Sequence, residues 1–255
     1  MINKYFTVEI TPTIAGNLQA GAFAADDVLF DWTSFQVPKG ACKLIAATVV
    51  MRSKDGDHQT AAKLDLYFAK SISGVAPVTL GTINDTVTGL PVLARHLLGI
   101  TGFTTGEFGQ NAGESFTVGS TGSGAATSNI PSIVLEGETN TGDNVGYDTL
   151  YLGGIAGNAI DFGTTVLARG GEAAGVTVVE TDKGSNDDPD AELIFAPGDV
   201  IHGGTGAVMG TIASIAAFGS SKQDITFEAV TPEVLDDNEE LYNINPIRVI
   251  LSFEK

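Results

Sequence analysis

The 255-residue sequence is poor in the side chains from which most enzyme active sites and metal sites are built. It contains one cysteine, three histidines and one tryptophan. The single cysteine, Cys42, excludes an intrachain disulfide framework and a zinc site made of cysteines. The histidines show no His-x-His or His-x3-His spacing, and no serine stands in a Gly-x-Ser-x-Gly elbow. The sequence therefore predicts a protein that is not an enzyme and that uses no cofactor.

Basic residues and long apolar runs are also scarce. There are 13 lysines and arginines against 31 aspartates and glutamates, which gives a formal net charge of −18. Because the negative electrostatic field of such a charge repels phosphate backbones and anionic lipids, we expect neither a nucleic acid nor a membrane as a partner. Residues 1–10 lack the apolar segment of a secretory signal, and no apolar run reaches the about 18 residues of a membrane span. We therefore expect a soluble protein that is made in the cytoplasm.

Glycine and alternating apolar residues dominate what the sequence does contain. The 32 glycines separate short segments in which apolar and polar residues alternate. Alternation or a β-branched run predicts strands at residues 5–10, 28–37, 44–51 and 64–69. Cys42 precedes the third of these strands and is predicted to be a small buried hydrophobe. The Asp55-Gly56 pair predicts a hairpin turn after that strand, so we expect a long meander.

The rest of the chain contains further short strand patterns. They lie at residues 132–136, 149–152, 164–167, 176–180, 193–195, 199–201, 210–215, 225–230 and 247–253. Residues 91–98 begin with proline and place leucines on one face, which predicts a short helix at most. Residues 99–128 are rich in Gly, Thr and Ser, which predicts a loop, a linker or a flexible arm.

These patterns predict an all-β fold, with a β-sandwich or jelly-roll-like architecture of short strands. We divide the chain into an N-terminal β region (1–104), a middle region that is an insertion or a second subdomain (105–190), and a C-terminal β region (191–255). Two arrangements stay open for the C-terminal region. Its strands either close into a small β-barrel or complete the sheets begun at the N-terminus.

Acidic turns supply the best candidates for metal chemistry. The turns contain oxygen donors that could contribute to calcium binding: Asp55, Asp57, Asn186, Asp187, Asp188 and Asp190. Neither turn matches the twelve-residue EF-hand loop with its terminal glutamate. Since solvated acidic turns have the same composition, these residues are weak candidates, and we predict no metal site.

Two other motifs have some of the features of cofactor or metal sites. Residues 196–202 (APGDVIH) resemble the turn of cupin metal sites, which would require His202 and either His58 or His96 to converge on a metal. Residues 204–210 space their glycines loosely like a dinucleotide-binding loop, but the residues that follow are too β-branched for the long helix that such a loop needs. We interpret the first as a turn before a strand and exclude the second.

Four phrases of the sequence together resemble a known class of proteins. They are LDLYFAKS (64–71), DNVGYDTLYLGGIAG (143–157), the FAPGDVIHGG to MGTIASI stretch (195–215) and LYNINPIRVILSFEK (241–255). In combination they resemble virion structural proteins of tailed bacteriophages, particularly those of marine hosts. The resemblance implies a capsid decoration or cement protein, or otherwise a fibre or tail accessory protein. It also implies an all-β fold, often trimeric, in a virion that is assembled in the host cytoplasm.

A cement protein would act through contact area rather than through a reactive residue. Its expected partners are the major capsid protein or other virion proteins, together with further copies of itself. The candidate interface anchors are aromatic residues near the N-terminus, about half of which are expected to serve the core: Tyr5, Phe6, Phe30, Trp32 and Phe35. The competing hypothesis is a calcium-assisted carbohydrate-binding or adhesin module, which would share the β architecture.

Overall fold

A computed structural model describes residues 4–52, 59, 62–88, 91–110, 116–121, 131–139, 146–163, 166–182, 191–217 and 222–255. Across these ranges the chain is all-β and forms three antiparallel sheets, which confirms the predicted fold class. Helix is limited there to the four-residue α1 (Ala191–Ile194) and to single 3-10 turns at Gly16–Leu18, Leu93–Arg95 and Thr105–Glu107. No helix in the described ranges is long and apolar enough to cross a membrane.

The strands are numbered in chain order. They are β1 (Tyr5–Ile10), β2 (Val28–Pro38), β3 (Cys42–Arg52), β4 (Leu64–Lys70), β5 (Leu97–Phe103), β6 (Phe108–Gln110), β7 (Phe116–Ser120), β8 (Ile133–Leu135), β9 (Glu138–Thr139), β10 (Tyr147–Ala156), β11 (Val178–Asp182), β12 (Val200–Gly203), β13 (Val208–Ile215), β14 (Lys222–Phe227), β15 (Leu241–Asn243) and β16 (Ile247–Glu254).

The first two sheets pack face to face as a sandwich. The first sheet has the order β1-β16-β3-β7-β6, with β8 also beside β3, and the second has the order β2-β10-β4-β5, with β9 beside β10. Apolar residues alternate along these strands, so that each sheet turns one apolar face inward. Phe253 of β16 is an example of contact between the two sheets. Its ring stacks on Phe6 of β1, in the same sheet, at 5.1 Å between centroids, and on Phe35 of β2, in the opposite sheet, at 6.4 Å.

The predicted meander and its hairpin at Asp55-Gly56 are wrong. β3 pairs with β16, β7 and β8, whereas β4 pairs with β10 and β5 in the other sheet. The turn itself lies outside the described residues. The strands β1 to β4 alternate between the two sheets, so that β3 and β4 bury their apolar faces against each other's sheet and do not pair.

The third sheet has the order β11-β14-β13-β12-β15 and encloses its own apolar core, drawn from residues 166–241. Its strands do not close into the small barrel that the sequence left open. Residues 166–169 lie between its two end strands, with isolated bridges from Ala168 to Thr181 and from Leu167 to Glu240, and Leu241 N–H donates to Val166 O at 3.0 Å. The last strand, β16, does not belong to this sheet. It lies in the first sheet between β1 and β3.

The sheets do not follow the three regions predicted from the sequence. The first sheet takes β1 and β3 from residues 1–104, β6, β7 and β8 from 105–190, and β16 from 191–255. Whether those regions are independent domains stays a prediction. The Gly/Thr/Ser-rich stretch supplies three strands, β5 to β7, rather than only a loop.

Two short segments differ from their predicted structure. Residues 193–195, predicted as a strand, lie largely in α1, where Phe195 N–H donates to Ala191 O at 2.8 Å. A short apolar run does not distinguish a buried helical turn from a strand. The short helix predicted at 91–98 is a single 3-10 turn, Leu93–Arg95, and β5 begins two residues later.

The segment after β1 attaches the third sheet to the sandwich. The 3-10 turn Gly16–Leu18 packs against β12 and β15, where a Cβ on Gly16 would lie 3.1 Å from the Cβ of His202. The buried side chain of Gln19 donates from Nε2 to Ile14 O at 2.7 Å and to Asn243 O at 3.0 Å. These contacts hold the two apolar cores side by side and leave a cleft next to the junction.

Candidate binding cleft

A cleft of about 520 Å³ lies between the first sheet and the turn that precedes β12. We call the side of the first sheet that points away from the sandwich core its outer face. The floor of the cleft is the outer face at Val50 and Val118, and its rim carries Phe116, which is 39% exposed. The opposite wall is formed by Gly198 and Asp199.

Strand register assembles this floor from distant parts of the chain. Arg248 of β16 lies opposite Val50 of β3, and Val50 lies opposite Val118 of β7. One row further along, Arg52 lies opposite Phe116. Because residues at alternate positions share a face, these side chains all reach the same side of the sheet.

An ion pair between Arg52 and Asp199 joins the floor to the wall. Arg52 Nη2 donates to Asp199 Oδ1 at 2.7 Å and to Oδ2 at 3.0 Å. The Asp199 side chain is 14% exposed and also accepts the Ala196 N–H at 2.8 Å. Gly198 has φ +93°, which lets the turn bring Asp199 to the sheet. This wall of the cleft is thus held by several interactions at once.

The second arginine of the cleft is held much more loosely. Arg248 Nη1 lies 3.6 Å from Glu9 Oε1, and both side chains are about half exposed, at 50% and 56%. An exposed pair at this distance contributes little to stability, about 0–1 kcal/mol. The guanidinium of Arg248 is therefore accessible to another anion.

Charge in the cleft differs from charge over the whole chain. Two of the four arginines of the sequence, Arg52 and Arg248, line it, and the acids that line it are Glu9 and Asp199. The cleft is therefore balanced in charge, on a chain whose net charge is −18. Balanced charge around an apolar floor is suited to binding another chain.

The aromatic residues proposed as anchors occupy several environments. Phe30 and Phe35 are buried, and Phe6 stacks on Phe253. Trp32 packs under residues 78–87, where its Nε1 donates to Val78 O at 2.6 Å. Only Tyr5 among the five is largely exposed, at 58%. Four of the five side chains thus contribute to packing.

The calcium candidates Asp55, Asp57, Asp187, Asp188 and Asp190, and Asn186 with them, lie outside the described residues. In the part of the chain that the structure describes, no three His, Cys, Asp or Glu side chains are grouped to hold a metal ion. That the acidic turns are weak calcium candidates, and that no metal site is expected, therefore stay predictions.

The histidines do not converge in the described ranges. His96 Nδ1 contacts Lys70 O at 2.8 Å, and His202 lies in β12, where burial lowers its pKa. His58 lies outside the described residues. The glycine-spaced segment 204–210 continues into the strand β13 and not into a helix, which agrees with its exclusion as a dinucleotide loop.

Cys42 is buried, 3.6 Å from Leu135 O, as predicted for a small hydrophobe. Burial raises the pKa of its thiol to about 11. Since the thiolate is the reactive form, we expect native protein at pH 8 to react with iodoacetamide at least about 100-fold more slowly than protein in guanidinium chloride.

Raising the pH should accelerate this alkylation until the pH approaches 11. The unfolded chain loses the proton at lower pH, so the contribution of the neutral thiol to stability is present below about pH 9 and is lost between pH 9 and 11. Mass spectrometry of timed samples measures the rate. Complete labelling of native protein within minutes at pH 8 would contradict the burial of Cys42.

No protein-family model, no curated protein and no solved structure matches the chain.

Proposed function

We propose that this chain is a non-enzymatic structural protein of a tailed-bacteriophage virion, where it serves as a capsid decoration or cement protein. The observation that carries the proposal is the outer face of the first sheet. Its outward positions carry three cations, Lys43, Arg52 and Arg248, and two anions, Glu9 and Glu254. Such a face can approach another protein without the repulsion that a net charge of −18 imposes elsewhere.

The size of this face favours several modest contacts over one large one. The four neighbouring strands β1, β16, β3 and β7, about 4.8 Å apart and five to eleven residues long, offer roughly 450 Å². A stable interface needs about 800 Å² from each partner, so one such face supplies about half of it. A repeating shell provides the missing contacts, because neighbouring sites are engaged together and their affinities combine. The proposed partners are the major capsid protein and further copies of this chain, arranged as a trimer.

Adding the purified chain back to particles tests this proposal. Particles from a phage with the gene deleted should bind the protein saturably and should then release their genome at a temperature several degrees higher. Labelling of bound protein on the head supports a decoration protein, whereas labelling on the tail alone would identify a fibre or tail accessory protein. Absence of binding at micromolar protein would contradict the proposal.

A calcium titration separates this proposal from the adhesin alternative. A cement protein that uses no metal should melt within about 1 °C of the same temperature in calcium and in chelator, since a ligand that does not bind the native state cannot stabilise it. A rise of several degrees at micromolar to millimolar calcium would favour the calcium-assisted binding module instead.

A further inference from the structure

We propose that the cleft binds an extended segment of the partner protein that brings a carboxylate to Arg248 and an apolar side chain to Phe116 and Val118. This inference rests on the proposed function, because the partner is a neighbouring virion protein. It names the chemistry of the segment that would be recognised.

The two arginines of the cleft have different roles. Arg52 is committed to Asp199, which is mostly buried and is held in turn by the Ala196 N–H. The Arg52–Asp199 ion pair therefore forms a fixed wall of the cleft. Arg248 is half exposed, and its ion pair with Glu9 is long, at 3.6 Å between Nη1 and Oε1. A partner carboxylate can therefore replace Glu9 at little cost in free energy. A bidentate arginine–carboxylate pair at the edge of a cleft is stronger than such an exposed pair.

The apolar half of the site lies beside this arginine. Val50 and Val118 are half-buried and form a flat floor, and the ring of Phe116 remains 39% exposed at its rim. An apolar side chain placed there would remove this surface from water. An exposed aromatic residue next to an accessible arginine is a combination enriched among the residues that dominate binding energy at interfaces.

The spacing of the two halves suits an extended segment. Arg248 and Val118 lie in one row, on strands separated by two strand spacings, about 10 Å, and Phe116 lies one row further along the same strand as Val118. In a polyproline-II segment, residues i and i+3 share a side and lie about 9 Å apart. A carboxylate and an apolar side chain three residues apart therefore match the cleft, which a Glu-Pro-Pro-Leu sequence provides.

Binding of a peptide pair tests the chemistry directly. The probes are the fluorescein-labelled peptides Gly-Glu-Pro-Pro-Leu-Gly and Gly-Lys-Pro-Pro-Leu-Gly, measured by fluorescence polarisation at about 150 mM salt. We expect the glutamate peptide to bind several-fold more tightly than the lysine peptide. Non-specific attraction to a chain of net charge −18 would favour the lysine peptide instead. Tighter binding of the glutamate peptide therefore indicates binding at the cleft.

Two arginine variants complete this experiment. Arg248→Gln should abolish the preference for the glutamate peptide, whereas the matched control Arg95→Gln, at an exposed arginine of the 3-10 turn Leu93–Arg95, should keep it. Equal binding of both peptides to the unaltered protein, or a preference that survives Arg248→Gln, overturns the inference.

Particle binding distinguishes failure of this inference from failure of the proposed function. If unaltered protein binds the deletion particles and Arg248→Gln and Phe116→Ser bind them as tightly, the inference fails and the function stands. If unaltered protein does not bind particles but selects the glutamate peptide through Arg248, the cleft is a binding site and the proposed function fails.

Discussion

Replacing Phe253 by alanine should lower the free energy of unfolding by about 3–5 kcal/mol. Phe253 is fully buried in the last strand of the chain, and its ring joins Phe6 of the same sheet to Phe35 of the opposite sheet. The substitution removes a large apolar side chain, leaves a cavity, and breaks two aromatic contacts that contribute about 0.5–1.5 kcal/mol each. The large expected effect follows from the position of β16 inside the first sheet, between β1 and β3.

Tyr5→Ala is the matched control, because it removes an aromatic ring from the strand beside β16 at a position that is 58% exposed. It should change the stability by less than about 0.5 kcal/mol. Urea unfolding followed by the fluorescence of Trp32, the single tryptophan, reports on the sandwich. A loss below about 1 kcal/mol for Phe253→Ala would show that β16 does not complete the first sheet.

Gly154→Ala should cost about 1–3 kcal/mol or more, although it adds only one methyl group. Gly154 lies in β10 opposite Phe30 of β2, and a Cβ there would lie 2.6 Å from Cζ and 2.8 Å from Cδ1 of Phe30. The Phe30 ring is buried in the core and has no free space into which to move. Overpacking of this kind forces side chains from their rotamers or shifts the strand.

Gly146→Ala provides the control for this second substitution. Gly146 immediately precedes β10, and a Cβ there would meet no atom within 4 Å. Its replacement should be neutral or slightly stabilising, by up to about 1 kcal/mol, because alanine restricts the unfolded chain. Equal midpoints for the two variants in urea would contradict the packing of β10 against Phe30.

Much of the strand content follows from local sequence, whereas strand pairing does not. Alternation at residues 5–10 and 247–253 predicts two strands with the correct inward faces, and both are present as β1 and β16. Their pairing with each other joins the two ends of the chain, and no local pattern encodes it. The wrong hairpin between β3 and β4 has the same cause, since a turn signal shows a change of direction and not the sheet to which the next strand belongs.

The cleft was missed for a related reason. Arg248, Val50 and Val118 come from three distant segments, and only the register of β16, β3 and β7 places them in one row. Phe116 stands in a stretch whose glycine, threonine and serine content predicts a loop. The aromatic residues nearer the N-terminus have a stronger local signal, but most of them are buried or packed, because a large apolar side chain gains more from burial than from exposure.

Quantification of the chain in purified virions tests the central claim most directly. The proposed function predicts that phage particles banded on a density gradient contain the chain at a fixed ratio to the major capsid protein in every preparation, as measured by mass spectrometry with labelled standard peptides. The ratio should persist after a salt wash that removes loosely adsorbed protein. Recovery of the chain only from the soluble fraction of the lysate, beside intact particles that lack it, would contradict the account.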